Sequence, residues 1–93
     1  MNPIDIALRI ATSAHAGQLD RDGYPVILHP LTVGLMGHTD EEKMAGFLHD
    51  VVEDTPITIH DIEKLFNPKV AQLVEGLTKI SLVQKDLNAS IQA

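Results

Sequence analysis

Between Met44 and Thr55 an apolar helical pattern is interrupted by one histidine and three carboxylates, and any fold for this chain has to accommodate both parts. At 100° per residue, Met44, Phe47, Leu48, Val51 and Val52 occupy one sector of roughly 140°, the width of a core-facing stripe. His49, Asp50, Glu53 and Asp54 fill the opposite sector. A helix here has one face that fixes it in a core and another that projects an imidazole and three carboxylates the same way. Gly46 lies in the polar sector, one turn before Asp50. Its missing side chain lets another segment come close, at a cost of about 1 kcal/mol against Ala in mid-helix.

Such an arc is most often a solvated helix face, but solvated faces are usually richer in Lys, Arg and Gln and need not gather their acids beside a histidine. A divalent metal explains the gathering. Imidazole and carboxylate together suit Zn, Mn, Fe or Ni, and the second pair of carboxylates is placed to work on a bound water.

Ninety-three residues make one domain, near the size at which a single core sustains itself. The chain is 44% apolar, yet it has three aromatic residues and no Trp, so the core must come from Ile, Leu, Val, Met and Ala. That favours packed helices, and the fold class expected is all-α. The formal charge of −6 repels a phosphate backbone and argues against nonspecific nucleic-acid binding. There is no cysteine, which excludes thiolate metal sites. No apolar run is long enough to span a bilayer and no secretory segment is evident, so a soluble cytoplasmic protein without a membrane partner is expected.

Asn2 and Pro3 predict an N-cap and first position for a helix carrying Ile4, Ala7, Leu8, Ala11 and Ala14 to about Gly17. His15, near its end, reads as structural, where a cation also complements the dipole. Gly17, Gly23 and Pro25 punctuate a loop to Leu28 whose single basic residue is Arg21, a phosphate contact or a solvated charge. His29 before Pro30 opens a second helix, from Leu31 to about Gly37. Thr39 with Glu42 predicts a capping box for the central helix, with His38 structural. Thr58 with Asp61 starts a fourth helix, with Ile59, Ile62 and Phe66 buried and His60 facing away. Asn67 and Pro68 begin a fifth, with Val70, Leu73, Val74 and Leu77 on its stripe and its end near Gly76 to Lys79. Residues 81–93 show no sustained stripe and read as a linker or the start of a further helix.

Several of these pieces occur together in one known family. Ala14-His15-Ala16-Gly17-Gln18, Gly23, Pro25, His29-Pro30-Leu31, Leu48 to Thr55, and Val74-Glu75-Gly76-Leu77-Thr78-Lys79 resemble the HD-domain hydrolase portion of RelA/SpoT-type guanosine polyphosphate enzymes. The resemblance covers most of residues 4–80 and implies a helical bundle of about five helices. It implies that His29, His49 and Asp50 bind a divalent metal, typically manganese, and that Glu53 and Asp54 act on the attacking water and the bound phosphate. The implied reaction removes the 3′-pyrophosphate from ppGpp or pppGpp, with Arg21 in the substrate-binding loop.

Two features depart from the family pattern. The loop that reads Arg-Lys-Ser-Gly in the long bifunctional enzymes is Asp20-Arg21-Asp22-Gly23 here, which leaves another phosphorylated nucleotide open as substrate. The family's last metal ligand, an Asp in an Ala-Asp-Arg segment, falls beyond the Thr-Lys motif and outside this sequence; Asp86 is a poor substitute. A truncated domain is therefore expected, with little ppGpp hydrolysis by the 93 residues alone. The missing helices should leave the stripes around Phe47 and Val74 partly uncovered, giving self-association into a homo-oligomer or a tail folded over them. The alternative function is a non-catalytic helical module that binds a nucleotide or a partner on the same scaffold.

Overall fold

The computed structural model describes the backbone of residues 2–92 and the side chains of residues 2–80. Five helices follow one another: α1 Pro3–Ala14, α2 Leu28–Leu35, α3 Asp40–Asp54, α4 Ile59–Leu65 and α5 Pro68–Gln92. No strand is formed among the described residues, and the all-α class expected from the composition holds.

The helix starts are set by local chemistry. Asn2 caps α1 through its side chain, which accepts from the Ile4 N–H at 2.9 Å. The predicted capping box is closed by Thr39 with Glu42 at α3, and the helix start expected at Thr58 proves to be a second one, with Asp61, at α4. Two differences from the expected boundaries have physical reasons. Helix α2 begins at Leu28, so His29 is already helical; i→i+3 bonds from Leu28 to Pro25 and from His29 to Val26 wind the chain before Pro30 is reached. Helix α5 continues through Gly76 and Lys79 to Gln92, since a mid-helix Gly costs only about 1 kcal/mol and Thr78 is tied to α3. The division suggested at residue 80 thus falls inside α5, and the reading of 81–93 as linker, with Asp86, lies outside the described side chains.

Helix α3 is the centre of the bundle, packed by α1, α2 and α5, while α4 packs on α5. Pro3 and Ile6 share a hollow with Asp40, Glu41 and Met44, and Ser13 and Ala14 share another with Thr55, so α1 and α3 run in the same direction. Leu48, Val51, Ile62, Val70 and Val74 are fully buried, each contributing about 1.5–3 kcal/mol of apolar transfer. With helices on three sides, α3 is not the two-faced helix that its sequence pattern suggests. Everything from Met44 to His49 is buried, including part of the sector assigned to polar residues.

The approach of α2 to α3 depends on two glycines. A Cβ on Gly46 would lie 2.5 Å from the Gly34 backbone, and one on Gly34 would collide with the Phe47 ring. The sequence places partly uncovered apolar stripes around Phe47 and Val74; the structure buries these two residues and leaves Val52 of the α3 stripe and Leu73 and Leu77 of the α5 stripe half-buried. Phe47 is 4% exposed and Val74 is not exposed, because α2 covers the first and α3 and α4 pack on the helix that carries the second. The large apolar side chains left exposed are instead Leu35, Met36, Leu65 and Ile80, with Leu19 and Tyr24 before α2 and Leu28 at its first position.

Gly34→Ala should destabilise the fold by about 1–3 kcal/mol, the usual range for overpacking. Phe47→Leu, which vacates part of that space, should recover some of the loss in the double variant, as read by urea unfolding. Strict additivity would mean the two positions do not share the space. The capping boxes set an acid limit. The Glu42 carboxyl is held below its ordinary range by the His38 and then the Thr39 backbone N–H, and Asp61 by the Thr58 backbone and hydroxyl. A depressed folded value gives stability that is present above the unfolded carboxyl value and is lost as pH falls through the folded one. Glu42→Gln should therefore flatten the acid limb of stability against pH, and an unchanged acid slope would contradict this.

Candidate metal centre

His49 is placed by α3 alone. Its ring is 4% exposed, and Nδ1 lies 2.7 Å from the Gly46 carbonyl oxygen one turn back. A carbonyl only accepts, so Nδ1 carries the proton and donates, leaving the Nε2 lone pair for a cation. Nε2 lies 3.2 Å from Asp50 Oδ1. From the far side, the Thr78 hydroxyl of α5 donates to the His49 carbonyl at 3.4 Å, which ties this turn of α3 to the fifth helix.

His29 arrives on α2, twenty residues upstream in the sequence. Its Nε2 is 3.9 Å from Asp50 Oδ2, and its ring stands edge-on to His49 at a centroid distance of 5.3 Å and an interplanar angle of 69°. One donor atom from each of His29, His49 and Asp50 lies within 4.8 Å of the others, the one such group of histidine and carboxylate residues found among those described. Donors around a single ion at about 2.0–2.2 Å are spaced roughly 3–4 Å apart. The donor set fits a divalent cation after a small inward turn of the 68% exposed His29 side chain. Imidazole and carboxylate, with no thiolate, is the ligand chemistry of Mn, Fe, Zn or Ni rather than of a soft ion.

Glu53 and Asp54 continue the same side of α3. Glu53 follows His49 by four residues and Asp50 by three, and Asp54 follows Asp50 by four, the spacings at which helix side chains are neighbours. Glu53 is half-buried, with one carboxylate oxygen out of contact with solvent, whereas Asp54 is exposed. The side of the helix that carries the acids therefore runs from a closed end at His49 to an open end at Asp54.

Arg21 is exposed at the tip of a tongue formed by residues 18–26. Asp20 and Tyr24 pair through Asp20 N to Tyr24 O at 2.8 Å, and Val26 N bonds Gln18 O at 2.9 Å. The Asp20 side chain accepts from the backbone N–H groups of Asp22 and Tyr24 at 2.9 and 3.0 Å. Gly23 supplies the positive φ of 86° that the turn needs. The sequence reading of this stretch as an irregular loop missed its order; the signal was Asp20 preceding Gly23, a pattern for a side-chain-closed turn. His15 is structural, but as a buried ring beside Gln18 Oε1 at 3.3 Å rather than as an exposed charge at a helix end. His38 and His60 are exposed and stand outside the cluster.

The described helices include none long and apolar enough to cross a membrane. Among known families, the HD domain matches residues 7–93. The chain is 46% identical over 78 residues to the bifunctional (p)ppGpp synthase/hydrolase SpoT of Escherichia coli K12, a match covering 80% of this chain and 11% of that protein. It is 49% identical over 79 residues to a probable guanosine-3′,5′-bis(diphosphate) 3′-pyrophosphohydrolase of Synechocystis, covering 81% and 10%. A Spiroplasma citri protein named for the same activity is 37% identical over 99 residues, covering 100% and 13%. The chain thus spans about a tenth of the length of the curated relatives it matches.

The two histidines differ in burial, and that difference separates binding from folding. His29→Ala should leave stability within about 0.5 kcal/mol, as exposed substitutions usually do. It should weaken manganese binding by more than the roughly 10- to 100-fold lost on changing an outer-shell partner. His49→Ala should weaken binding as much and also destabilise the chain by about 1–3 kcal/mol, through the cavity and the lost Gly46 bond. Calorimetric titration with manganese, beside urea unfolding of the metal-free proteins, reads both. Unchanged affinity in His29→Ala would remove it from the site.

Proposed function

Because this chain belongs to the HD-domain family, we propose that it is a metal-dependent phosphohydrolase domain acting on guanosine polyphosphates. Its hydrolase unit would be residues 4–80. The reaction proposed is hydrolysis of ppGpp or pppGpp to GDP or GTP and pyrophosphate, carried over from relatives named for that activity. The observation that carries the reading is the meeting of the His29, His49 and Asp50 donors within 4.8 Å, on a helix that presents Glu53 one turn later.

His29 and His49, through Nε2, and the Asp50 carboxylate would hold the ion, proposed to be manganese, which supplies charge neutralisation at phosphate and a more acidic water. Glu53, one turn after His49 and Asp50 on α3, takes the proton from the attacking water. The water oxygen bonds to the phosphorus attached to the 3′ oxygen, that P–O bond breaks, and the 3′ oxygen leaves with a proton as the product hydroxyl. Asp54, at the open end of the same face, orients the water and the departing pyrophosphate. Arg21 meets negative charge on the nucleotide. The formal charge of −6 is consistent with small anions being drawn to the ion and its few basic neighbours rather than to a broad basic surface. A cytoplasmic setting follows from where such nucleotides are found.

The test is a single-turnover reaction with the chain in excess over ppGpp and manganese present, a format that detects even slow hydrolysis. Pyrophosphate and GDP should form, and Glu53→Gln or Asp54→Asn should each slow their formation by at least about 100-fold, the scale of a lost acid-base group. Rates unchanged in both variants would remove these residues from the mechanism. Bound ppGpp that is never cleaved would favour a non-catalytic nucleotide-binding module.

A further inference from the structure

The tongue between α1 and α2 holds the single tyrosine of the chain, and we propose that Tyr24 is the surface on which the nucleobase of the substrate stacks. The proposal rests on the phosphohydrolase reading and concerns the part of the nucleotide that the His29-His49-Asp50 cluster would not touch.

Three observations lead to it. Tyr24 is 63% exposed, while the two other aromatic side chains, Phe47 and Phe66, are buried or half-buried. An aromatic ring left in water is usually held loosely, yet this one stands on fixed backbone. Its N–H donates to Asp20 Oδ1 at 3.0 Å, its carbonyl accepts from Asp20 N at 2.8 Å, and the Leu19-Pro25 bridge closes the base of the tongue. The ordering cost of a binding surface has thus been met within the fold, as in preorganised sites.

The second observation is position. Val26 and His29 are joined by an i→i+3 backbone bond, which keeps their Cα atoms within about 7 Å. Two further Cα steps put Tyr24 no more than about 15 Å from His29, within the span of one nucleotide plus a tyrosine side chain. The third is charge. Arg21 is the single basic residue between Arg9 and Lys43, and it is flanked by Asp20 and Asp22. A tongue with two carboxylates repels additional phosphate, whereas the uncharged base has a π-face that an aromatic ring receives whatever the local charge.

Stacking on one aromatic side chain is worth about 5- to 150-fold in affinity. In titrations with manganese present, Tyr24→Ala should weaken ppGpp binding by that factor and leave inorganic pyrophosphate unaffected, and Tyr24→Phe should stay within about twofold of the parent. The chain has no tryptophan, so its intrinsic fluorescence arises at Tyr24. Emission should be quenched to saturation by ppGpp and not by pyrophosphate. Unchanged ppGpp affinity in Tyr24→Ala, or equal loss of both ligands, overturns the stacking role. A parent chain that binds pyrophosphate with manganese, but ppGpp no more tightly, overturns it while leaving the phosphohydrolase reading intact. A parent chain that binds neither ligand overturns both.

Discussion

The structure depends on how closely α2 can lie against α3. Gly34 and Gly46 face each other with no room for a Cβ on either, and the Phe47 ring takes the space over Gly34. Interiors are packed tightly enough that such a contact fixes distance rather than merely permitting it. Because His29 is on α2 and His49 and Asp50 are on α3, the same contact fixes how far the upstream imidazole stands from the other two donors. Gly46 contributes twice. Its missing side chain admits α2, and its carbonyl accepts the hydrogen bond from His49 Nδ1–H, which turns Nε2 toward Asp50.

The remaining elements hold this arrangement from other directions. Thr78 on α5 binds the His49 carbonyl, so the helix that closes the bundle also anchors the turn of α3 that carries two of the three donors. The tongue of residues 18–26 delivers the chain into α2 in a fixed direction, through bonds that lie mostly within the tongue itself. One cluster is therefore supported by three helices, α2, α3 and α5, and by the turn that leads into the first of them. Burial is graded along it, from the enclosed His49 to the exposed His29 and Asp54, which leaves one side open to a small anionic ligand.

Local chemistry was legible in the sequence and packing was not. Asn2, Thr39 and Thr58 announced their helices through caps that depend on neighbours two or three residues away, and they fall where expected. The chemical content of His49, Asp50, Glu53 and Asp54 was equally plain from their spacing. What a helical wheel could not give was the third neighbour of α3. The pattern assigns Gly46 and His49 to a polar face; the reading that Gly46 admits another segment holds, since α2 packs there, but the pattern did not say which helix would come or that His49 would be buried by it. The partly uncovered apolar surface expected around Phe47 and Val74 is confined to Val52 on the first stripe and Leu73 and Leu77 on the second, and the fully exposed apolar side chains are Leu35, Met36 and Ile80 among others. The end of α5 was misplaced because Gly76 weakens a helix without stopping it. The tongue was missed because its order comes from one side chain, Asp20, bonding two backbone groups at once.

The account stands on the claim that α2 and α3 together form one divalent-metal site. Crystals of the chain grown with manganese, with the ion located by its anomalous scattering, test that directly. The account predicts one strong peak bound by His29 Nε2, His49 Nε2 and an Asp50 carboxylate oxygen at about 2.0–2.3 Å, the distance of a first-row divalent ion from such donors. Manganese found only on exposed carboxylates such as Asp54 or Asp22, with the His29 ring turned away from His49, would contradict it.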